Sequence, residues 1–194
     1  MPIAQPSAIP SKPTHQTASV VVGVMAGPGA PAIGPPRWRQ LTPAAIWTQI
    51  NVRDHSQSGI LNGVAAALKR HGMPPRRLIL LGEGTLGRTA LELVLQGALA
   101  CGGLIAIGQL GHALPFRTVS TSAAIRLVVH DDGCTAAPDD LIHALRASDI
   151  DERIIRLNAA AANERRVVAS AAETFILELV ALIGRQGLSR SLQT

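Results

Sequence analysis

Hydrophobic residues along this chain fall alternately into short, mostly apolar runs and into longer stretches with helical spacing. The short runs are typical of strands buried on both faces of a parallel sheet, and they lie at residues 19–25, 78–81, 104–107, 125–129 and 153–157. The longer stretches repeat apolar residues every three or four positions, as one face of a helix does, and they lie at residues 60–70, 85–95, 138–146 and 168–183. Because strands alternate with helices, the pattern predicts an α/β fold with a mostly parallel sheet and helices on both of its faces. Residues 44–52 fit a strand and a helical turn equally well.

The length of the chain suits one domain. Its 194 residues are 47% hydrophobic, enough to bury a full core of aliphatic side chains. Residues 1–17 carry four prolines among Ser, Gln and Thr, which predicts a flexible tail or an arm for a partner. We therefore expect one domain over residues 18–187, preceded by this tail and followed by a flexible C-terminus at residues 188–194.

The excess of positive charge does not point to nucleic acid. The net charge is +5, but the arginines are scattered as pairs rather than gathered on one segment, at Arg37 and Arg39, Arg76 and Arg77, and Arg165 and Arg166. With no Tyr, two Phe and two Trp, the chain also lacks the aromatic residues on which single-stranded nucleic acid stacks. We interpret the excess as general surface charge.

The cysteine content and the N-terminal segment bear on the cellular compartment. Cys101 and Cys134 form no disulfide framework and no metal-ligand spacing with histidine, so we expect two reduced thiols, no metal, no cofactor and a cytoplasmic location. An apolar stretch at residues 18–26 follows Lys12, which leaves an N-terminal targeting segment open. No run reaches the roughly 18 apolar residues that a membrane-spanning helix needs.

Residues 78–95 contain the densest functional signal. A short apolar run ends in Gly82, Gly84 and Gly87, and a helical pattern follows at once. Open α/β sheets place ligands or nucleophiles at such a turn from strand to helix. Two interpretations compete: a dinucleotide-binding loop, and a nucleophile elbow without its nucleophile.

The order of motifs resembles the phospholipase/carboxylesterase family of α/β-hydrolases over residues 19–185. The resemblance rests on four segments: Gly34-Pro35-Pro36-Arg37-Trp38-Arg39 before a helix, the strand and turn from Pro74-Pro75 to Gly87, the strand from Gly102-Gly103 to Gly108, and the stretch from His130-Asp131 to Pro138. It implies a three-layer α/β-hydrolase-like sandwich. We expect the N-terminal side to be shortened, because only one clear strand precedes Ile60.

The same resemblance implies that the catalytic triad is replaced. The position of the nucleophilic Ser falls on Gly84, and that of the catalytic Asp falls on Cys134 if Pro138 fixes the register. The loop expected to carry the catalytic His runs from Asn158 to Asn163 without histidine, and no histidine follows His143. The expected protein is a pseudoenzyme that acts as a binding or structural subunit, with a protein partner or as a homo-oligomer.

Two alternatives remain open. A rearranged site could pair the hydroxyl of Thr85 with His130 or with His112, giving a weak carboxylesterase or thioesterase; Thr85 also fits a residue of the first helical turn with a locally bonded hydroxyl. The spacing Gly82-x-Gly84-x-x-Gly87 also fits an NAD(P)-type pyrophosphate loop. That fingerprint expects an acidic residue at the end of the next strand, where this chain has Gly108-Gln109.

Overall fold

The architecture is that of a computed structural model, which describes residues 20–27, 36–54, 56–110, 113–131, 137–158, 160–161 and 165–191. These ranges contain six strands in one parallel sheet. In chain order the strands are β1 (Val20–Ala26), β2 (Ala45–Asn51), β3 (Leu78–Glu83), β4 (Gly103–Gly108), β5 (Ala124–Asp131) and β6 (Glu152–Asn158). Across the sheet the order is β2-β1-β3-β4-β5-β6, so β2 and β6 form its two edges. A mostly parallel sheet was predicted, and it is confirmed.

Helices cover both faces of the sheet. They are α1 (Pro36–Leu41), α2 (Gln57–His71), α3 (Gly84–Leu95), α4 (Ala137–Ala147) and α5 (Arg165–Ser191), with a short 3-10 turn at Pro75–Arg77. Buried residues of α2, α3 and α4 share one core with alternate residues of the strands, whereas Trp38 of α1 and the inner side of α5 share the other. The molecule is therefore a three-layer sandwich.

Local signals in the sequence explain where the best-defined helix begins and ends. Ser56 lies before the first turn of α2, and its hydroxyl oxygen accepts a hydrogen bond from the backbone N–H of Gly59 at 2.9 Å. At the other end Gly72 adopts a left-handed conformation with φ +59°, and its N–H bonds back to the carbonyls of Leu68 and Lys69. Pro74 and Pro75 then prevent any continuation.

Three elements differ from the prediction or settle an open alternative. Residues 45–51 form a strand, so two strands precede Ile60, whereas the pattern predicted only one clear strand there. Helix α1 lies at residues 36–41, so Arg37, Trp38 and Arg39, which were expected to precede a helix, are part of one. Helix α5 is longer at both ends than residues 168–183 and continues to Ser191, into the segment expected to be a C-terminal extension. The predicted tail at residues 1–17 lies outside the described residues.

One arginine is buried within the sheet. Arg126 of β5 is 1% exposed, and its guanidinium donates to carboxylate oxygens of Asp151 at 3.2 Å and Glu178 at 2.8 Å, and to the backbone carbonyls of Ile125 and Asp151. Glu178 lies on α5 and also contacts Arg153 of β6 at 3.3 Å. This network joins β5, β6 and α5 near the amino-terminal ends of the two strands, at the opposite edge of the sheet from their carboxyl ends.

Helix α5 contains a long apolar segment. Within Arg165–Arg185 an 18-residue window has a mean hydropathy of 1.9, so by length and composition alone the helix could cross a membrane, although the sequence predicted no such segment. Its inner residues Phe175, Ile176 and Leu179 are buried against the sheet. The core helix of a protein passes the same composition test.

Candidate functional site

The topology marks one position at the carboxyl edge of the sheet as a site for ligands. From β1 the chain moves outward to β2, and from β3 it moves the opposite way to β4. Loops that leave two adjacent parallel strands in opposite directions open a crevice between them, and open α/β sheets bind ligands there. The crevice of this sheet lies between the end of β1, at Ala26–Gly27, and the turn from β3 into α3, at Glu83–Gly84.

The turn after β3 has the backbone of a nucleophile elbow. Gly84 has φ +57°, in the left-handed region, and α3 starts at this same residue. A Cβ built on Gly84 would meet no heavy atom within 4 Å, so space for a side chain exists. The turn that would present a nucleophile is formed, and the residue at its apex has no side chain.

Two further glycines let α3 start directly against the sheet. A Cβ on Gly87 would lie 2.4 Å from the carbonyl oxygen of Gly82 and 3.4 Å from the backbone nitrogen of Ile107. A Cβ on Gly82 would lie 2.5 Å from the side chain of Met25 on β1. These contacts are with protein atoms, so Gly82 and Gly87 serve the packing of β1, β3, β4 and α3.

Thr85 lies in the first turn of α3, on its exposed side. Its backbone carbonyl accepts a hydrogen bond from the Thr89 hydroxyl at 2.9 Å. The residue before the helix, Glu83, is exposed, and its carboxylate makes no capping hydrogen bond to the helix. The first backbone N–H groups of α3, which lie at the crevice, therefore receive no capping hydrogen bond from Glu83.

Arg88 connects α3 to the segment that follows β4. Its guanidinium pairs with Glu92 one turn later at 2.7 Å, and it donates to the backbone carbonyl oxygens of Leu110 at 2.5 Å and Ala113 at 3.4 Å. This residue fixes the chain beside the turn at Gly84, and the sequence analysis missed it. In the sequence, only the four-residue spacing of Arg88 and Glu92 could have pointed to this residue, because it favours an ion pair on a helix.

His130 lies near the end of β5, level with Leu157 of β6. Its Nε2 atom is buried without a hydrogen-bond partner. Val128 belongs to the core on the α5 side and Val129 to the core on the α3 side, so alternation along the strand directs His130 to the α5 side. Thr85 lies in the first turn of a helix that packs on the opposite face, and β4 lies between β3 and β5.

Other predicted site residues lie outside the described ranges. These are Cys134, Asn163 and His112, so their roles stay predictions. Close to the end of β6, the side-chain oxygen of Asn158 accepts a hydrogen bond from the backbone N–H of Ala161 at 2.9 Å, which holds the start of the loop expected to carry a catalytic histidine.

The remaining candidate groups offer no reactive centre. Cys101 is buried, and this burial raises the pKa of its thiol to about 12, opposed by a backbone hydrogen bond with Gly103. At neutral pH it is a thiol rather than the nucleophilic thiolate. Within the ranges that the structure covers, no three His, Cys, Asp or Glu side chains gather as metal ligands. The end of β4, at Gly108-Gln109, carries no acidic residue for a ribose.

The fold is that of α/β-hydrolases. Among solved structures, esterase PE8 superposes with a TM-score of 0.64 at 15% identity, over 84% of this chain and 94% of that one. YahD, in a structure with malic acid, gives a TM-score of 0.57 at 13% identity, over 83% and 94% of the two chains. A variant of SOBER1 from Arabidopsis thaliana gives 0.57 at 11% identity, over 83% and 99%.

No family model and no curated protein matches the sequence. At identities of 11–15% the structural matches establish the fold alone. They confirm the α/β-hydrolase-like fold that the resemblance implied.

Proposed function

We propose that this chain is a non-catalytic protein of the α/β-hydrolase fold that acts as a binding or structural subunit. The observation that carries the proposal is Gly84. The turn between β3 and α3 keeps the left-handed conformation in which α/β-hydrolases expose a nucleophile, and the residue that holds this conformation has no side chain.

The chemistry of acyl transfer explains why this one residue matters. The reaction needs a hydroxyl or thiol, a base that takes its proton and a group that orients the base. Thr85 has a hydroxyl one position later, but alternation along β5 directs His130 to the α5 side of the sheet, whereas α3 packs on the other side. Cys101 is buried and protonated. Among the described residues, no hydrogen bond joins the Thr85 hydroxyl or the Cys101 thiol to a histidine.

The names of structural neighbours support an ester-hydrolase fold as the frame of the proposal. Esterase PE8, an arylesterase and YahD share the fold, and two of these names state ester hydrolysis. For this chain we infer that the crevice between β1 and β3 retains the place of an ester-hydrolase site without the reaction. The competing hypothesis is a weak esterase or thioesterase that uses Thr85 with a histidine.

The proposal is tested with p-nitrophenyl acetate and a fluorophosphonate probe on the full-length protein. We expect no covalent labelling, and a hydrolysis rate no higher than that of the Thr85→Ala variant. Labelling of the wild-type protein that Thr85→Ala abolishes would establish the esterase hypothesis instead.

A second variant asks whether only the nucleophile is missing. Gly84→Ser places a hydroxyl at the apex of the turn, and Gly72→Ser is its matched control, because Gly72 has φ +59° and equally open surroundings. We expect neither variant to react with the fluorophosphonate. If Gly84→Ser alone were labelled, a functional base would be present, and the site would be an esterase site that lacks one group.

A further inference from the structure

The two edges of the sheet differ in a way that bears on assembly. Edge strand β6 reads Glu-Arg-Ile-Ile-Arg-Leu-Asn, and charged residues at an edge prevent pairing with another strand. Edge strand β2 reads Ala-Ile-Trp-Thr-Gln-Ile-Asn, with no charge, no proline and no glycine. Within the described part of the chain, β2 pairs only with β1, so its outer backbone groups remain available for a further strand.

The surface on both sides of β2 is apolar too. On the α1 side, Leu41 is 42% exposed, and Trp47 is half-buried with its indole N–H bonded to Thr42 at 3.0 Å. On the α2 side, Ile46 and Leu61 are partly buried against the core. An unpaired edge with apolar side chains on both flanks is typical of an interaction surface.

The composition of the chain limits what can occupy this edge. Residues 1–17 carry prolines at Pro2, Pro6, Pro10 and Pro13, and proline cannot donate to a ladder, so this segment does not suit a continuous strand beside β2. A second copy brings the same uncharged strand. Each copy has a net charge of +5, so a charged edge would add repulsion between copies, whereas the uncharged strand β2 adds none of its own.

We propose that β2 pairs antiparallel with β2 of a second copy across a twofold axis, which joins two six-stranded sheets into one. With the axis at Thr48, the middle residue of β2, all seven residues of the strand find partners. Thr48 then faces Thr48, Ile46 faces Ile50 and Trp47 faces Gln49 across the axis, all favourable or neutral cross-strand pairs. This assembly goes beyond the proposed function and does not depend on it.

The test measures the mass of the full-length protein in solution by light scattering, at micromolar concentrations. Wild type should have twice the chain mass of 20.2 kDa. Gln49→Lys places two like charges at diagonal positions across the axis, where the residue positions lie about 7–8 Å apart, and should weaken the dimer roughly tenfold or more. Gln49→Glu should act in the same way, and an equimolar mixture of the two variants should restore the dimer.

That restoration separates a lost interface from a failure to fold, because misfolded chains would not recombine. The matched control is Leu177→Lys on α5, another exposed apolar residue, at 38% exposure, and it should stay dimeric. Three results would each overturn the proposal: a monomeric wild type, a Gln49→Lys variant that remains dimeric, or dissociation by Leu177→Lys alone.

Discussion

Gly84 and Gly87 lie three residues apart and are glycine for different physical reasons. Gly84 has a left-handed backbone and open space around it, so a methyl group there meets only the strain of the left-handed region. Gly87 is in a helix, where any residue fits the backbone, but its Cβ would overlap the carbonyl oxygen of Gly82. The first glycine leaves room at the crevice, and the second holds α3 against the sheet.

This difference predicts the order of two destabilising substitutions. Gly84→Ala should lower the free energy of unfolding by about 1 kcal/mol, and Gly72→Ala, at the same φ, by a similar amount. Gly87→Ala should cost about 3 kcal/mol or more, because the atoms that its Cβ meets are backbone atoms of β3 and β4 that cannot move independently. Denaturant unfolding at one protein concentration measures all three. Equal losses at Gly84 and Gly87 would contradict the close packing.

At the scale of the elements, the ion network around Arg126 joins β5, β6 and α5. Its members differ in access to water: Arg126 is buried, whereas the side chain of Arg153 is 65% exposed. A buried guanidinium depends on its carboxylates, and an exposed ion pair contributes little because water and salt screen it. The contribution of the network to stability should therefore come mainly from the two carboxylates that pair with Arg126.

We predict a large difference between two substitutions within this network. Glu178→Gln leaves the buried Arg126 with Asp151 as its one carboxylate partner, and should lower the free energy of unfolding by about 3 kcal/mol. Arg153→Gln removes an exposed partner of the same glutamate and should cost less than about 1 kcal/mol. Urea unfolding compares them, and a similar cost for both would mean that Arg126 does not depend on Glu178.

The sequence predicts these elements unevenly, for reasons of burial. Strands β3 and β4 are buried on both faces and therefore contain unbroken apolar runs, which the pattern identifies. Strand β2 is an edge whose residues are mostly half-buried, so neither the alternation of a strand nor the spacing of a helix dominates it. Arg126 interrupts an apolar run, and its partners Asp151 and Glu178 come from distant segments, so the sequence offers no local signal for the network.

The sequence likewise predicts only part of the candidate site, namely the part that a local motif encodes. The glycine turn at Gly84 is a local motif, so the sequence locates it. The contacts of Arg88 with Leu110 and Ala113 depend on where the chain passes after β4, and no pattern within α3 specifies that path. The face to which His130 points follows from the register of β5, which packing against α3 and α5 sets.

For the whole molecule, the order of strands determines which parts open first. Strands β3 and β4 are hydrogen-bonded on both sides, and their residues are almost entirely buried, so their amides should exchange with solvent only through global unfolding. Strand β6 is an edge with exposed Arg153 and Arg156, so we expect its outer amides to exchange through small local openings. This gradient follows from topology alone.

The dimer proposal makes the two edges behave differently in hydrogen exchange. If β2 pairs with its copy, its outer amides are protected by an equilibrium that depends on concentration, whereas those of β6 are not. Diluting the protein through the dissociation constant should speed exchange in β2 by a large factor and leave β6, β3 and β4 unchanged. Gln49→Lys should exchange fast in β2 at every concentration, and its β3 amides should remain protected, since the monomer stays folded. Slow exchange in β2 at every concentration would contradict the dimer. It would mean that another segment of the same chain protects the β2 amides, because intramolecular protection does not change on dilution.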